Sequence, residues 1–418
     1  MTSAETLSLL TYLEQSPTAM HAAACTLDAL RQAGYQELSE QEHWRLTPGG
    51  RYLVSRNGSA VIAWRQGETH AFRLVLSHLD SPGLRLKLHA ATQGGGVLVV
   101  PVERYSQTID SGWLDQPLTL AGRVVTPDGQ QHLFAFPQAL AVIPNLAIHL
   151  NRKINDGNVY NAQQHLRPLF GDITLSELRQ AIARQAGLPD DDFAASDIAL
   201  VQQREARILG LRQDLLNAPR LDNLLAAHAL LCALTAAEAA PETAVAFFAD
   251  NEEIGSCTPE GANSSFLRDV LERIVLASGG DREELFCALA RSTMLSVDAA
   301  HALHPNYAGS YDPGSSPIIN QGVVVKWNAN GRYATSAAEA TRLARLADTI
   351  GVPLQRFHIR ADMACGSTIG PMTAARLGVP AVDLGNPIWA MHSVRETAGL
   401  RDQGWMTALL TAFLGDRH

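Results

Sequence analysis

The chain has 418 residues, with 33 Lys and Arg against 42 Asp and Glu, a formal net charge of −9. At 46% hydrophobic and 18% charged residues it has the balance of a folded globular protein, which argues against wholesale disorder. The acidic balance argues against general binding to nucleic acid or to anionic membranes, since both need a basic face. At about 150 residues per domain there is room for two or three domains, each able to bury a core without staples.

Along the chain, MTSAETLSLLTYLEQ lacks a basic leader region and carries Glu5 and Glu14, so it does not read as a signal peptide. Leu7, Leu10 and Leu13 recur at helical spacing. Phe72 to Leu76 (FRLVL) reads as a buried strand ending in the polar cluster Ser77-His78-Leu79-Asp80. The middle of the chain is different. VLVVPVE, LTLAGRVV and HLFAF are strand-like, and Thr126-Pro127-Asp128-Gly129 marks a turn between the last two. Gly94-Gly95-Gly96 opens this stretch and Pro189-Asp190-Asp191-Asp192 lies near its end. The expectation is a β-rich insertion over 87–214, set within a discontinuous domain formed by 1–86 and 215–418. Leu224 to Ala240 is strongly apolar but includes His228 and Glu238. It is shorter than a membrane span and reads as a buried helix. Thr243 to Phe248 (TAVAFF) reads as a second buried strand, ending in Asp250-Asn251-Glu252-Glu253. Short apolar strands with helices between them predict an α/β fold, a sheet covered on both faces. In such sheets, sites lie beyond the carboxyl ends of strands. The five cysteines are scattered and odd in number, which predicts reduced thiols in the cytoplasm rather than a disulfide frame or a thiolate zinc site.

No phosphate loop, H-E-x-x-H helix or G-x-S-x-G elbow is present. The chemistry instead rests on scattered histidines and carboxylates. His78 and Asp80 are two apart at a strand end, as expected for a metal-binding His held by a carboxylate, although a plain strand-end His is the commoner meaning of H-x-D. Asp222 and Asn223 precede the apolar helix, where Asp is an ordinary N-cap or a carboxylate placed to bridge two metals. Glu252 and Glu253 are adjacent like charges after a strand. They repel unless they share a cation, and both serve one site only if the chain turns, which Gly255 permits. One would bind metal while the other takes a proton from water. Asp298 and His301 are three apart, one face of a helical turn. His392 follows an apolar stretch, the usual place of a core histidine. Taken together, His78, Asp222, Glu253, Asp298 and His392 would make two metal sites sharing one carboxylate, with Glu252 left unligated. Imidazole and carboxylate without thiolate suit Zn²⁺, with Co²⁺ or Mn²⁺ possible.

In order, SHLDSPGLRLK, PRLDN, DNEEIGS, HPNY, CGSTIGPM and GNPIWAMHSVRE resemble the signature motifs of the aspartyl aminopeptidases, co-catalytic dizinc metallo-exopeptidases. The resemblance runs from about SPTAMHA to His392-Ser393-Val394-Arg395-Glu396. It implies a mixed β-sheet sandwiched by helices (the dizinc exopeptidase fold) with an inserted β-rich lid or oligomerisation domain. It implies two zinc ions per subunit, bound by His78, Asp222, Glu253, Asp298 and His392, with Asp80 behind His78, Asp222 as the bridge and Glu252 as general base. His149, in AIHL, would reach a neighbouring subunit's site, and His301, Lys326 and Tyr333 would contact substrate. The implied activity is removal of acidic N-terminal residues, Asp or Glu, from peptides, with Lys326 as the cation for the acidic side chain. The implied assembly is a large homo-oligomer, a dodecamer. Ala299 departs from the family pattern, where Met is usual. Two rival readings are a dizinc aminopeptidase or deacylase preferring neutral residues, and a non-catalytic assembly protein on the same fold.

Overall fold

The computed structural model describes residues 1–189, 192–202 and 205–415. Two of the residues in the Pro189 to Asp192 turn signal, Asp190 and Asp191, lie outside the described residues. The chain divides into two compact units: 1–80 with 206–391 and 396–418, and 81–205 with 392–395.

The larger unit is built on a nine-stranded mixed sheet. At its centre Phe72–His78 lies between two parallel neighbours, Thr243–Ala249 and Thr293–Val297. Ala381–Gly385 continues the parallel run, and Val323–Trp327 pairs antiparallel to it. Arg51–Arg56 and Ala60–Arg65 complete the other side as an antiparallel pair. The two-residue alternation of a strand sends each central segment's side chains into two cores. Val245 and Phe247 enter one, with the helices Phe266–Ala277 and Arg282–Arg291. Ala244, Ala246 and Phe248 enter the other, with Leu221–Ala236 and Leu400–Leu414. Burial on both faces explains why these strands read as unbroken apolar runs. The fold is therefore α/β.

One local expectation is borne out and another is corrected. In the first helix, Ser3–Gln15, the buried face is Leu9, Tyr12 and Leu13, whereas Leu7 is 65% exposed. Asp298 and His301 do not share a helical turn. Asp298 follows the strand Thr293–Val297, and His301 lies in the two-residue strand Ala300–His301, paired with Pro387–Trp389. Pairing with a distant segment overrides the local i,i+3 spacing.

The smaller unit holds a five-stranded antiparallel sheet. Leu118–Val125 pairs with Gln131–Ala135 across the Thr126 to Gly129 turn, and also with Ala195–Gln202. Gly83–Leu86 pairs with Ala195–Gln202 and Val102–Tyr105. Gly122 is required here, because a Cβ on it would lie 2.0 Å from the Asp197 carbonyl oxygen. The helix Leu175–Gln185 closes this core with Leu178 and Ile182. No helix among the described residues is long and apolar enough to cross a membrane.

Candidate active site

The site is a product of register. In the central sheet Ala249 pairs with His78, and Ser296 pairs with Leu76. The three parallel strands therefore stop side by side, and the residues just past their ends (His78 to Asp80, Asp250 to Glu253, and Asp298) emerge together. Asp222 joins them from the start of Leu221–Ala236. It is not a simple N-cap: Asp222 and Asn223 have non-helical backbone, and the helix proper begins after them. The Asn223 side chain ties this bend to the Val297 carbonyl at 2.8 Å.

Glu252 and Glu253 reach one place because the chain turns there. Asn251 takes a left-handed φ of 61°, Glu252–Ile254 forms a 3-10 turn, and Gly255 leaves it at φ 94°. Asp80 clamps this turn. Its two carboxylate oxygens each accept a backbone N–H, from Glu252 and from Glu253, both at 3.1 Å. The same carboxylate lies 3.4 Å from His78 Nδ1, which also contacts the Asp80 carbonyl at 3.1 Å. With Nδ1 so occupied, Nε2 points inward, 3.6 Å from Asp222 Oδ1 and 3.6 Å from Asp298 Oδ1.

His78 and Asp222 can converge on one point with Asp298, and His78 can do so with Glu252 and Glu253, with ligand atoms in each group within 4.8 Å of one another. His78, Asp80 and Asp222 are at most 3% exposed. Two like charges about 4 Å apart cost about 4 kcal/mol at an effective dielectric of 20, so such a cluster needs protons or cations. Burial pushes the Glu252 carboxyl up to about 8, with His78 offsetting this and Asp298, Asp80 and Asp222 reinforcing it. Burial, then the charge of Asp222, also raises Glu253 well above the carboxylate range. His78 is disfavoured as a cation by burial, yet hydrogen bonding to Asp298 and Asp80 raises it well above an ordinary histidine. A divalent cation fits this donor set, because it would take the place of the protons that these carboxyls retain. One imidazole nitrogen and several carboxylate oxygens, without a thiolate, match zinc chemistry.

The remaining sequence-predicted residues are placed as follows. Lys326 is buried in Val323–Trp327. Its Nζ donates to the Ala299 carbonyl at 2.9 Å and lies 3.7 Å from Asp298 Oδ2 and 5.3 Å from the Tyr333 ring centroid. His301 and Tyr333 both pack edge-on against Phe357, at 5.6 and 6.4 Å. His149 and His392 belong to the smaller unit. His149 is exposed in a turn. His392 has a left-handed φ of 67° and sets Nδ1 2.9 Å from the Gln107 carbonyl. Sequence reasoning missed two positioning carboxylates. Glu396, 2% exposed, accepts the Asp222 backbone N–H at 2.9 Å. Asp383, fully buried, accepts from the Thr368 hydroxyl at 2.6 Å and from the Ala334 N–H, beside Tyr333. The signal for Glu396 was its place in the GNPIWAMHSVRE motif. Asp383 carried a weaker one, a lone acid inside the apolar strand Ala381–Gly385.

Buried carboxylates and a histidine at the carboxyl ends of adjacent parallel strands define a metallohydrolase class of site. Residues 12–414 match the family model described as Aminopeptidase I zinc metalloprotease (M18), and the chain belongs to that family of zinc aminopeptidases. It is 41% identical over 424 residues to "Probable M18 family aminopeptidase 2" of Pseudomonas entomophila, covering 98% of each chain. Among solved structures, it is similar to a chain in the complex of Ape4 and Nbr1, with a TM-score of 0.94 and 33% identity over 98% of this chain and 85% of that one. It is also similar to the S. cerevisiae mApe1 dodecamer, with a TM-score of 0.86 and 25% identity over 99% of this chain and 97% of that one.

Proposed function

We propose that this zinc aminopeptidase removes acidic residues, Asp or Glu, from peptide N-termini, using two metal ions per subunit with Glu252 as general base. The observation that carries the reading is the buried cluster of Asp80, Asp222, Glu252, Glu253 and Asp298 around the His78 ring. His78, Asp222, Glu253, Asp298 and His392 are the proposed ligands, with Asp222 as the bridge. Bound there, zinc would polarise the scissile carbonyl and acidify a water. Glu252, set beside these ligands and proposed to be left unligated, is placed to move a proton: it takes one from the attacking water and returns it to the leaving amine. Asp80 holds both the His78 ring and the Glu252 turn in place. Lys326, His301 and Tyr333 would line the substrate's first residue.

We also propose a large homo-oligomer in which His149 serves a neighbouring subunit, stabilising the oxyanion. Leu146, Ile148 and Leu150 flank His149 and are 56, 53 and 75% exposed, an apolar stretch suited to a partner surface. The yeast relative named above is a dodecamer. A cytoplasmic site of action is supported by five free cysteines.

A second reading, preference for neutral first residues, is favoured by one feature. The Lys326 ammonium already donates to Ala299 and neighbours Asp298, so part of its charge is spent within the protein. A panel of peptides beginning with Asp, Glu, Leu or Ala separates the two. A kcat/KM favouring Asp and Glu by tenfold or more supports the first reading. A preference for Leu or Ala establishes the second.

A further inference from the structure

Beside Tyr333, and within the same unit, a cleft of about 750 Å³ opens between the loop following Val323–Trp327 and the segment following Leu354–His358. Its volume is that of a ligand site. Trp327, Asn330, Arg332, His358, Arg360 and Cys365 line it, and no lining residue is acidic. In a chain of net charge −9 this is a local reversal of sign.

The three basic groups are not equivalent. Arg360 is spent: it forms a two-point pair with Asp362, at 2.9 and 2.7 Å, and donates to the Gly309 carbonyl. His358 places Nδ1 3.1 Å from the Ser315 hydroxyl and stacks on Trp327 at 6.5 Å and 17°. Arg332 is exposed and makes no ion pair among the described residues. Its backbone is fixed, because its N–H donates to the Asn328 side chain at 3.4 Å and its carbonyl accepts the Ser367 hydroxyl at 3.1 Å. Two lining residues of the cleft are chain neighbours of residues placed at the active site. Trp327 follows Lys326, and Arg332 precedes Tyr333, against whose apolar cluster Cys365 packs.

We propose that this cleft is a subsite for the leaving portion of the peptide, in which Arg332 binds a carboxylate. The ligand is therefore a short peptide whose second residue presents an anion, either an acidic side chain or the free C-terminus. A guanidinium lining a cleft that has no acidic lining residue suits two-point recognition of a carboxylate. The proposal rests on the aminopeptidase reading of the site but not on which first residue is preferred.

The test uses the zinc-loaded, full-length enzyme and peptides sharing whichever first residue it cleaves fastest. Three leaving portions are compared by kcat/KM: Ala amide, Ala free acid and Glu amide. The expected result is about a tenfold advantage for at least one of the two anionic portions, and which one wins identifies the source of the carboxylate. Arg332→Ala should collapse that ratio towards one, Arg332→Lys should restore part of it, and Arg332→Glu should invert it. Because the readout is a ratio within each variant, general loss of activity does not imitate it. Equal rates for all three leaving portions in the unaltered enzyme, or an undiminished ratio in Arg332→Ala, overturns the proposal. Failure of the acidic first-residue reading appears instead in which shared first residue has to be used.

Discussion

Asp80 does more than stand behind His78. One carboxylate fixes the imidazole and also receives two successive backbone N–H groups of the Glu252 turn. Asp80→Asn replaces one acceptor with a donor facing an N–H, so the turn and the ring lose their shared anchor. Zinc affinity is expected to fall about 10- to 100-fold, measured by competition with a chelating dye. Glu252→Gln is a different lesion. It keeps the shape and removes the proposed proton carrier, so on that reading kcat should fall by about 10² to 10⁴ while metal content stays the same. A variant with near-normal turnover would move the base elsewhere. At this scale much was legible, because metal chemistry needs particular side chains and those stand in recognisable clusters at strand ends. Glu396 and Asp383 were not legible as contributors, since each acts through a backbone N–H supplied by a segment far away in sequence.

The elements themselves were readable where periodicity had one interpretation. Phe72–His78 and Thr243–Ala249 are apolar throughout because both their faces are covered. Asp298 and His301 fooled the i,i+3 rule because a two-residue strand is defined only by its distant partner. The Leu7, Leu10 and Leu13 spacing does mark a helix, although spacing alone cannot say that Leu7 faces away from the core. The helix Leu221–Ala236 is buried on almost every side, with thirteen of its residues covered, and it carries an ionisable group in mid-span. His228 is 4% exposed, with Nε2 3.2 Å from the Ser8 hydroxyl, and burial pushes its pKa down to about 4 from 6.5. The folded state thus refuses a proton that the unfolded chain accepts. Stability is whole above pH 6.5 and lost as pH falls towards 4, by an amount on the order of 3 kcal/mol. Urea unfolding at pH 7 and pH 4.5 measures this. His228→Gln should remove a corresponding part of the difference, and a variant retaining the full acid sensitivity would assign it to other groups.

For the molecule as a whole, the balance of charge at the site has a thermodynamic signature. Glu252 has a folded pKa of about 8 against an ordinary 4.5, so its effect on stability is present at low pH and lost as pH rises through 8. Chelated protein should therefore lose thermal stability steadily between pH 5 and pH 8, and zinc should flatten the curve by neutralising the cluster. Identical pH profiles with and without metal would show that these carboxyls do not hold it. The two-unit organisation was only partly readable. The insertion expected at 87–214 compares with a unit of 81–205 and 392–395. Gly83–Leu86 is too short to announce that it pairs with Val102–Tyr105 and Ala195–Gln202, and nothing local marks the return of four residues near position 392.

The almost wholly covered helix Leu221–Ala236 also bears on biosynthesis. One of its coverings, Leu400–Leu414, is tied to it by the Gln403 side chain donating to the Leu225 carbonyl, a link spanning 178 positions. While the ribosome is still translating the intervening sequence, an oily cylinder waits for a lid that has not been made. The nascent polypeptide is thus exposed to aggregation until Leu400–Leu414 has been made. Shortening the message by one terminal helix would turn that transient hazard into a permanent one.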